Sequence, residues 1–324
     1  MSAVPQRTPS QVERLARLQT FGGWMLAIGL LASGAAVGGI LLTERAPLAL
    51  LAGRVLTFGG GLLLLAAAAG GLLAVVGLAV FLIVPGVDAQ LARRDYDRLP
   101  TILACLAGVF VLGNLLALPA MIGPFVDRAS RVGALPVPAL VVALLATQLA
   151  IMVVLIWRVV RPGALTWEEI GLTTDHLERR MLQGAVGGIV ILIVAGATGV
   201  LMRQFGVQQT QAQMFEGIRG AGQGQFLAFW LAAAVVAPIC EESFFRGYVF
   251  TSLRSSHGRL VAYPVSALLF ALIHFNLPAL LPILVMALGL AFLYDRSGSV
   301  VPGIIAHGLN NSVALTLFYA GLPG

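Results

Sequence analysis

FLAFWLAAAVVAPICEESFFRGYVFTSL, residues 226–253, is an apolar run of helix length with Glu241, Glu242 and Arg246 lodged in it. About 20 apolar residues cross a hydrocarbon core of roughly 30 Å as a helix, so the run reads as a membrane span. An ionisable side chain at that depth costs roughly 2.5–3.5 kcal/mol on insertion scales and needs a partner, water or a function. The same anomaly recurs downstream, where FALIHFN (270–276) carries His274 and GIIAHGLNNSVAL (303–315) carries His307, Asn310 and Asn311.

The rest of the 324-residue chain sets this segment in an all-α, polytopic transmembrane bundle. It is 59% hydrophobic and 10% charged, against about a quarter charged for soluble domains. Helices are expected near 20–43, 56–84, 101–126, 136–157, 182–202, 226–253, 260–275, 279–294 and 299–320. These give eight or nine spans. The second is ambiguous because its apolar run starts near Pro47 and contains Arg54, which leaves room for a re-entrant or interfacial piece. The apolar run at 22–42 is too long for a cleaved signal sequence and is expected to stay as the first span.

All 20 basic residues are Arg, mostly between apolar runs. They form no basic face with aromatic or polar readers, which argues against nucleic-acid binding. Arg-rich segments before the first span and after the second and fourth favour a cytosolic N-terminus under the positive-inside rule. Cys105 and Cys240 both sit in apolar runs and are expected as core thiols. RVVRPGALTWEEIGLTTDHLERRM (158–181) holds four of the 14 acidic residues. The expected order is therefore a cytosolic tail (1–18), an N-terminal membrane region of about four spans (19–157), an amphipathic linker (158–181) and a C-terminal membrane domain (182–324, motif core 225–320) that the resemblance given below makes the catalytic one. In the linker, Thr166 and Glu169 have capping-box spacing, and Trp167, Ile170, Leu172 and Leu177 are expected to face head groups from an interfacial helix. His176 reads as part of a solvated face and His257 as loop. Arg203 to Gln225 reads as a flexible surface loop or substrate-facing flap.

Within the polar set, helical spacing divides the duties. Glu242 and Arg246 are i and i+4 with the acid first, the favourable order for an ion pair. Glu241 points about 100° away and is left for chemistry. Pro238 removes a backbone bond just upstream. His274 shares a face with Phe270. A neutral imidazole there can orient or deprotonate water or ligate a metal, once a partner fixes its tautomer. His307 and Asn311, also i and i+4, can aim two donors at one point, as a developing oxyanion requires. The structural alternatives are a triad of charges joining helices, a hydrogen-bonded core His and an interhelical clamp worth about 1 kcal/mol or less.

EExxxR at Glu241, Glu242 and Arg246, FxxxH at Phe270 and His274, and HxxxN at His307 and Asn311 together resemble the CAAX protease and bacteriocin-processing (Abi, type II CAAX prenyl endopeptidase) family of intramembrane proteases. The resemblance covers about residues 225–320. WEEIGL (167–172) resembles more weakly a segment found upstream in such proteins. The extra spans of the front half fall outside the motifs. The resemblance implies peptide-bond hydrolysis in a water-filled cavity within the bilayer, with a membrane protein or peptide as substrate. It assigns water activation to Glu241 and His274 and oxyanion binding to His307 and Asn311, while Glu242 and Arg246 match the rest of the first motif and take the structural, site-supporting role derived from their spacing.

Glu241, His274 and His307 would also make a two-His, one-carboxylate site for a divalent metal such as zinc. The sequence alone leaves the metal-dependent and metal-free chemistries open. A transporter using the same residues as an ion path, or a scaffold or immunity protein using them as a clamp, are the non-enzymatic alternatives. Transporters show interrupted spans in two related halves, whereas the polar residues here are confined to one. Ser243 and Ser312 lack the Gly-flanked elbow of a serine nucleophile. The Arg-only, Gly- and Ala-rich composition suggests a bacterial cytoplasmic membrane.

Overall fold

The computed structural model describes residues 8–43, 58–87, 93, 95–128, 136–205, 216–274 and 276–321, and among these every regular element is a helix. The helices are α1 (Pro9–Thr43), α2 (Phe58–Val87), α3 (Leu99–Arg128), α4 (Val137–Leu155, continued by a π turn, Ile156–Val160) and α5 (Leu177–Gln204). There follow the short α6 (Glu216–Arg219), the long composite α7 (Gln223–His257), α8 (Arg259–Leu272), α9 (Leu280–Ser297) and α10 (Val301–Tyr319). Each expected helical stretch has its helix. The re-entrant piece considered near Pro47 and Arg54 lies outside the described residues.

Six of these helices are long and apolar enough to cross a membrane, α1, α3, α4, α5, α7 and α9, with Leu65–Phe81 of α2 and Arg259–Leu272 as shorter apolar stretches. The eight or nine spans expected from the sequence are not reached on that criterion. With 14 residues, α8 is about 21 Å long at 1.5 Å per residue, short of the roughly 30 Å core. In α10 the polar His307, Asn310, Asn311 and Ser312 interrupt the apolar surface.

The chain forms two compact units, Met1–Val132 with Val153–Ala164, and Gly133–Met152 with Leu165–Gly324. In the first, α1 and α2 pack antiparallel through glycines. A Cβ on Gly29 would run into the Ala74 backbone, and one on Gly77 into the Leu26 backbone. Small residues let membrane helices approach closely and gain dispersion contact where no hydrophobic drive exists between apolar surfaces. Leu26, Ala74, Leu78 and Val111 form the buried cluster beside this contact.

The second unit contains all the polar motif residues. Its α5 presents Gly184 and Gly188 to Pro302 and Ala306 of α10, while Ile191, Leu290 and Ala306 make a buried cluster. The segment before α5 forms turns rather than an interfacial helix. Thr166 and Glu169 do exchange the reciprocal capping-box bonds, Thr166 N–H to Glu169 Oε2 at 2.7 Å and Glu169 N–H to Thr166 Oγ1 at 3.2 Å. Ile170, expected to face head groups, is fully buried against Gly247, and the Gly171 carbonyl accepts from Ser299 Oγ (2.9 Å) and Val300 N–H (3.1 Å). Gly171 at φ +88° allows that turn, so docking on α7 and the start of α10 replaces a helix on the membrane surface. Trp167 and Leu177 are exposed and Leu172 is half-buried. Of the stretch read as a flap, 206–215 lie outside the described residues. Of the remainder, Ile218 is buried beside Val137, Leu140 and Phe229, while residues 203–205, 219–220 and 222–225 are exposed, and Phe226 just beyond stacks on Tyr319 at 3.9 Å.

Candidate active site

Two π-helical segments in α7, Ala232–Val236 and Ser243–Phe250, flank the six-residue α-turn that carries both glutamates. Pro238 has no N–H, so an α-helical bond to Ala234 is impossible and the turn before it widens. The widened turn leaves the Ala233 carbonyl to be met by Asn311, whose Nδ2 donates to it at 2.8 Å. π turns of this kind recur at functional sites because they re-aim side chains without ending the helix.

Glu242 is fully buried and sits at the centre of a charge network. Its Oε1 accepts from Arg246 Nη1 at 2.7 Å and from His307 Nδ1 at 2.9 Å. Arg246 gives a second bond, Nη2 to the Ala287 carbonyl at 3.1 Å, and its guanidinium lies 4.4 Å over the Phe270 ring. The i, i+4 pairing anticipated from the sequence is thus present. The other oxygen, Glu242 Oε2, faces Gly303, where a Cβ would stand 2.8 Å from it. Any other residue at 303 would displace the carboxylate.

Because Nδ1 donates to a carboxylate, His307 in its neutral form holds Nε2 as a bare acceptor. That nitrogen faces Glu241 Oε2 at 3.9 Å. The separation is too long for a direct hydrogen bond and suits one water bonded to both groups. Glu241 is 9% exposed and His307 2%. The second Glu241 oxygen, Oε1, accepts from Gln148 Nε2 on α4 at 3.0 Å.

His274 is half-buried at the end of α8, and its Nδ1 donates to the Phe270 carbonyl at 2.8 Å, which leaves its Nε2 bare as well. Both imidazoles contact one ring, Phe270 to His274 at 4.9 Å and Phe270 to His307 at 5.7 Å between centroids. The FxxxH spacing therefore supplies a wedge that sets two histidines and the Arg246 guanidinium. Asn310 is buried and bonded to the Gly188 and Ala306 carbonyls, which makes it a packing residue between α5 and α10.

Residues 223–313 match the Rce1-like family, the type II CAAX prenyl endopeptidases. The match falls on the stretch that carries the three motifs and agrees with the resemblance they bear. Two bacterial relatives align with this chain. The UPF0177 protein YxdF of Lactococcus lactis is 30% identical over 91 residues, 28% of this chain and 50% of that protein. The protein named "Putative membrane peptidase YdiL" of Bacillus subtilis is 30% identical over 87 residues, 27% of this chain and 36% of that protein. The chain thus spans half or less of the curated relatives it matches. No solved structure matches.

The Rce1-like region holds Glu241, Glu242, Arg246, His274, His307 and Asn311, and the network around Glu242 joins three of them directly. A metal centre on Glu241, His274 and His307 is not preformed, since no group of three or more His, Cys, Asp or Glu among the described residues is gathered to hold an ion. Sequence reasoning missed Gln148, which lies outside the Rce1-like region. Its signal was the same one that marked the glutamates, a polar side chain in the apolar run LLATQLAIMVV (144–154).

Proposed function

We propose that this chain is an intramembrane endopeptidase that cleaves membrane-associated proteins or peptides with a water activated at Glu241. The observation that carries the reading is the facing pair, Glu241 Oε2 and His307 Nε2 at 3.9 Å, with His307 Nδ1 tied to Glu242 at 2.9 Å. Two acceptors face each other across the width of one water. A water donating one hydrogen to each turns its lone pairs outward, toward a carbonyl carbon. As that oxygen attacks, its proton passes to Glu241 Oε2, and the C–N bond breaks as Glu241 returns the proton to the leaving nitrogen. The products are a carboxylic acid and an amine, so atoms and protons balance.

Glu242 and Arg246 serve this scheme by holding His307 in the tautomer with a bare Nε2. His274, with Nδ1 committed to Phe270, offers a second bare Nε2 as partner base, the role given to it by the resemblance. The bond between His307 and Glu242 changes one expectation. Before taking up a proton, His307 has no N–H at Nε2 to give an oxyanion, so oxyanion stabilisation falls first to Asn311, which keeps one N–H beyond that bonded to Ala233. No step requires a metal. The chain would act in a bacterial cytoplasmic membrane with its N-terminus cytosolic, as the Arg distribution favours.

The test is reconstitution of the full chain in liposomes with two internally quenched probes, one a peptide ending in a farnesylated CAAX sequence and one a single-span peptide. Cleavage of either by the wild type, lost in Glu241→Gln and in His307→Ala, is the expected result. Wild-type turnover in Glu241→Gln refutes the mechanism.

A further inference from the structure

Gln148 is 2% exposed in the middle of α4, and its amide reaches Glu241 Oε1 at 3.0 Å. Resting on the hydrolytic reading above, we propose that Gln148 is a positioning residue for Glu241, holding one carboxylate oxygen so that the other is the one presented to His307 and the attacking water.

Three observations converge. First, the two Glu241 oxygens have different neighbours, Gln148 on Oε1 at 3.0 Å and His307 on Oε2 at 3.9 Å, so a single amide fixes the angle at which the carboxylate presents its second oxygen. Without that anchor the carboxylate turns about its last side-chain torsion, which is broad and roughly two-fold. Second, the residue is poorly explained as a structural clamp. Among the described residues its own Oε1 is buried without a partner, and an unmet buried acceptor costs about 1–3 kcal/mol. Interhelical polar contacts in membrane proteins return only about 0.6 kcal/mol on average. Ala146, Ala150 and Ile151 around it are buried apolar residues, and the bond that its amide makes is directed at Glu241. Third, Gln148 and Glu241 are separated by 93 positions and lie on different helices, so the bond is not a by-product of local spacing.

The measurement uses the full chain in liposomes with the same two quenched probes, comparing wild type, Gln148→Met, Thr147→Val and Glu241→Gln. Met keeps the length and shape of the side chain and removes the donor. Thr147, whose hydroxyl donates to the Ala143 carbonyl on the same helix, controls for disturbance of α4. In Gln148→Met, kcat is expected to fall about 10- to 100-fold with KM within about twofold of wild type, the scale set by loss of an orienting partner. Thr147→Val should keep wild-type kcat and KM. Gln148→Leu carries the same expectation should the Met variant not fold. Unchanged kcat in Gln148→Met alongside an inactive Glu241→Gln overturns this inference and leaves the hydrolytic reading intact. A raised KM with unchanged kcat also overturns it, since Gln148 would then bind substrate rather than orient Glu241. A wild type that cleaves neither probe, or a Glu241→Gln variant that cleaves as wild type does, removes the hydrolytic reading and this inference with it.

Discussion

Replacing Glu242 by Gln changes one oxygen to an NH2 group and leaves the side-chain shape intact, yet it disturbs three groups at once. Arg246 becomes an unpaired buried cation, with its Nη1 bond of 2.7 Å now to a neutral acceptor or lost. Breaking a buried pair by removing one charge costs about 3–5 kcal/mol. The new NH2 either takes the Oε2 position against Gly303 or turns toward His307, where it reverses the sense of the 2.9 Å bond. In the second case Nδ1 becomes the acceptor and Nε2 carries the proton, which removes the acceptor facing Glu241. Where a carboxylate behind a catalytic imidazole is exchanged for an amide, the wrong tautomer costs up to about 10⁴ in kcat, so about 10²- to 10⁴-fold is expected here. Thermal unfolding in detergent and cleavage of the quenched probes read the two effects separately. Adding Arg246→Met removes the second charge, and the neutral pair should recover most of the lost stability and none of the lost activity. The reasoning is refuted if Glu242→Gln turns over within about threefold of wild type, or if the stability losses of the two single variants add in the double.

Gly303→Ala places a methyl 2.8 Å from Glu242 Oε2, and the displaced carboxylate should cost about 1–3 kcal/mol in unfolding free energy together with most of the cleavage activity. Asn311→Leu removes the donor on Ala233 and should destabilise the fold by about 1 kcal/mol, while lowering kcat far more than that contact explains. Asn311→Asp, which can no longer donate to that carbonyl, should be worse in the unfolding assay. Full-length protein stripped with a strong chelator should retain its cleavage rate, with metal content measured on the same sample. Loss of activity that zinc restores would replace the water-activating scheme with a metal centre.

Much of this was readable in the sequence because a membrane interior penalises polar groups so heavily that each one is conspicuous. The α7 ion pair followed from i, i+4 spacing alone, and the helices followed from the lengths of the apolar runs. What was not readable depended on distant partners or on small departures from helical geometry. The bond of Gln148 to Glu241 needs the placement of two helices 93 positions apart. The π turns of α7 were foreshadowed only by Pro238, and their consequence, an Ala233 carbonyl for Asn311 to fill, needs α10 beside them. Ile170 was misjudged because amphipathic spacing cannot distinguish a membrane surface from the buried face of a neighbouring helix. Eight or nine spans are not reached by length and apolarity among the described residues, because α8 ends after 14 residues and α10 carries the His and Asn side chains.

In the proposed scheme the adjacent glutamates divide two tasks. Glu242, bonded through Oε1 to Arg246 and His307, holds the Nδ1 side of the imidazole. Glu241 alone would face a histidine with no fixed tautomer, because nothing else in the described structure bonds His307 Nδ1. Consecutive positions on one helical turn point the two carboxylates about 100° apart, so a single segment can reach opposite nitrogens of one imidazole, Nδ1 from Glu242 at 2.9 Å and Nε2 from Glu241 at 3.9 Å. The buried cation then has a defined purpose. Arg246 and His307 both hold Glu242 Oε1, and its Oε2 is turned to Gly303, so in the proposed scheme Glu241 is the acid whose Oε2 faces His307 Nε2.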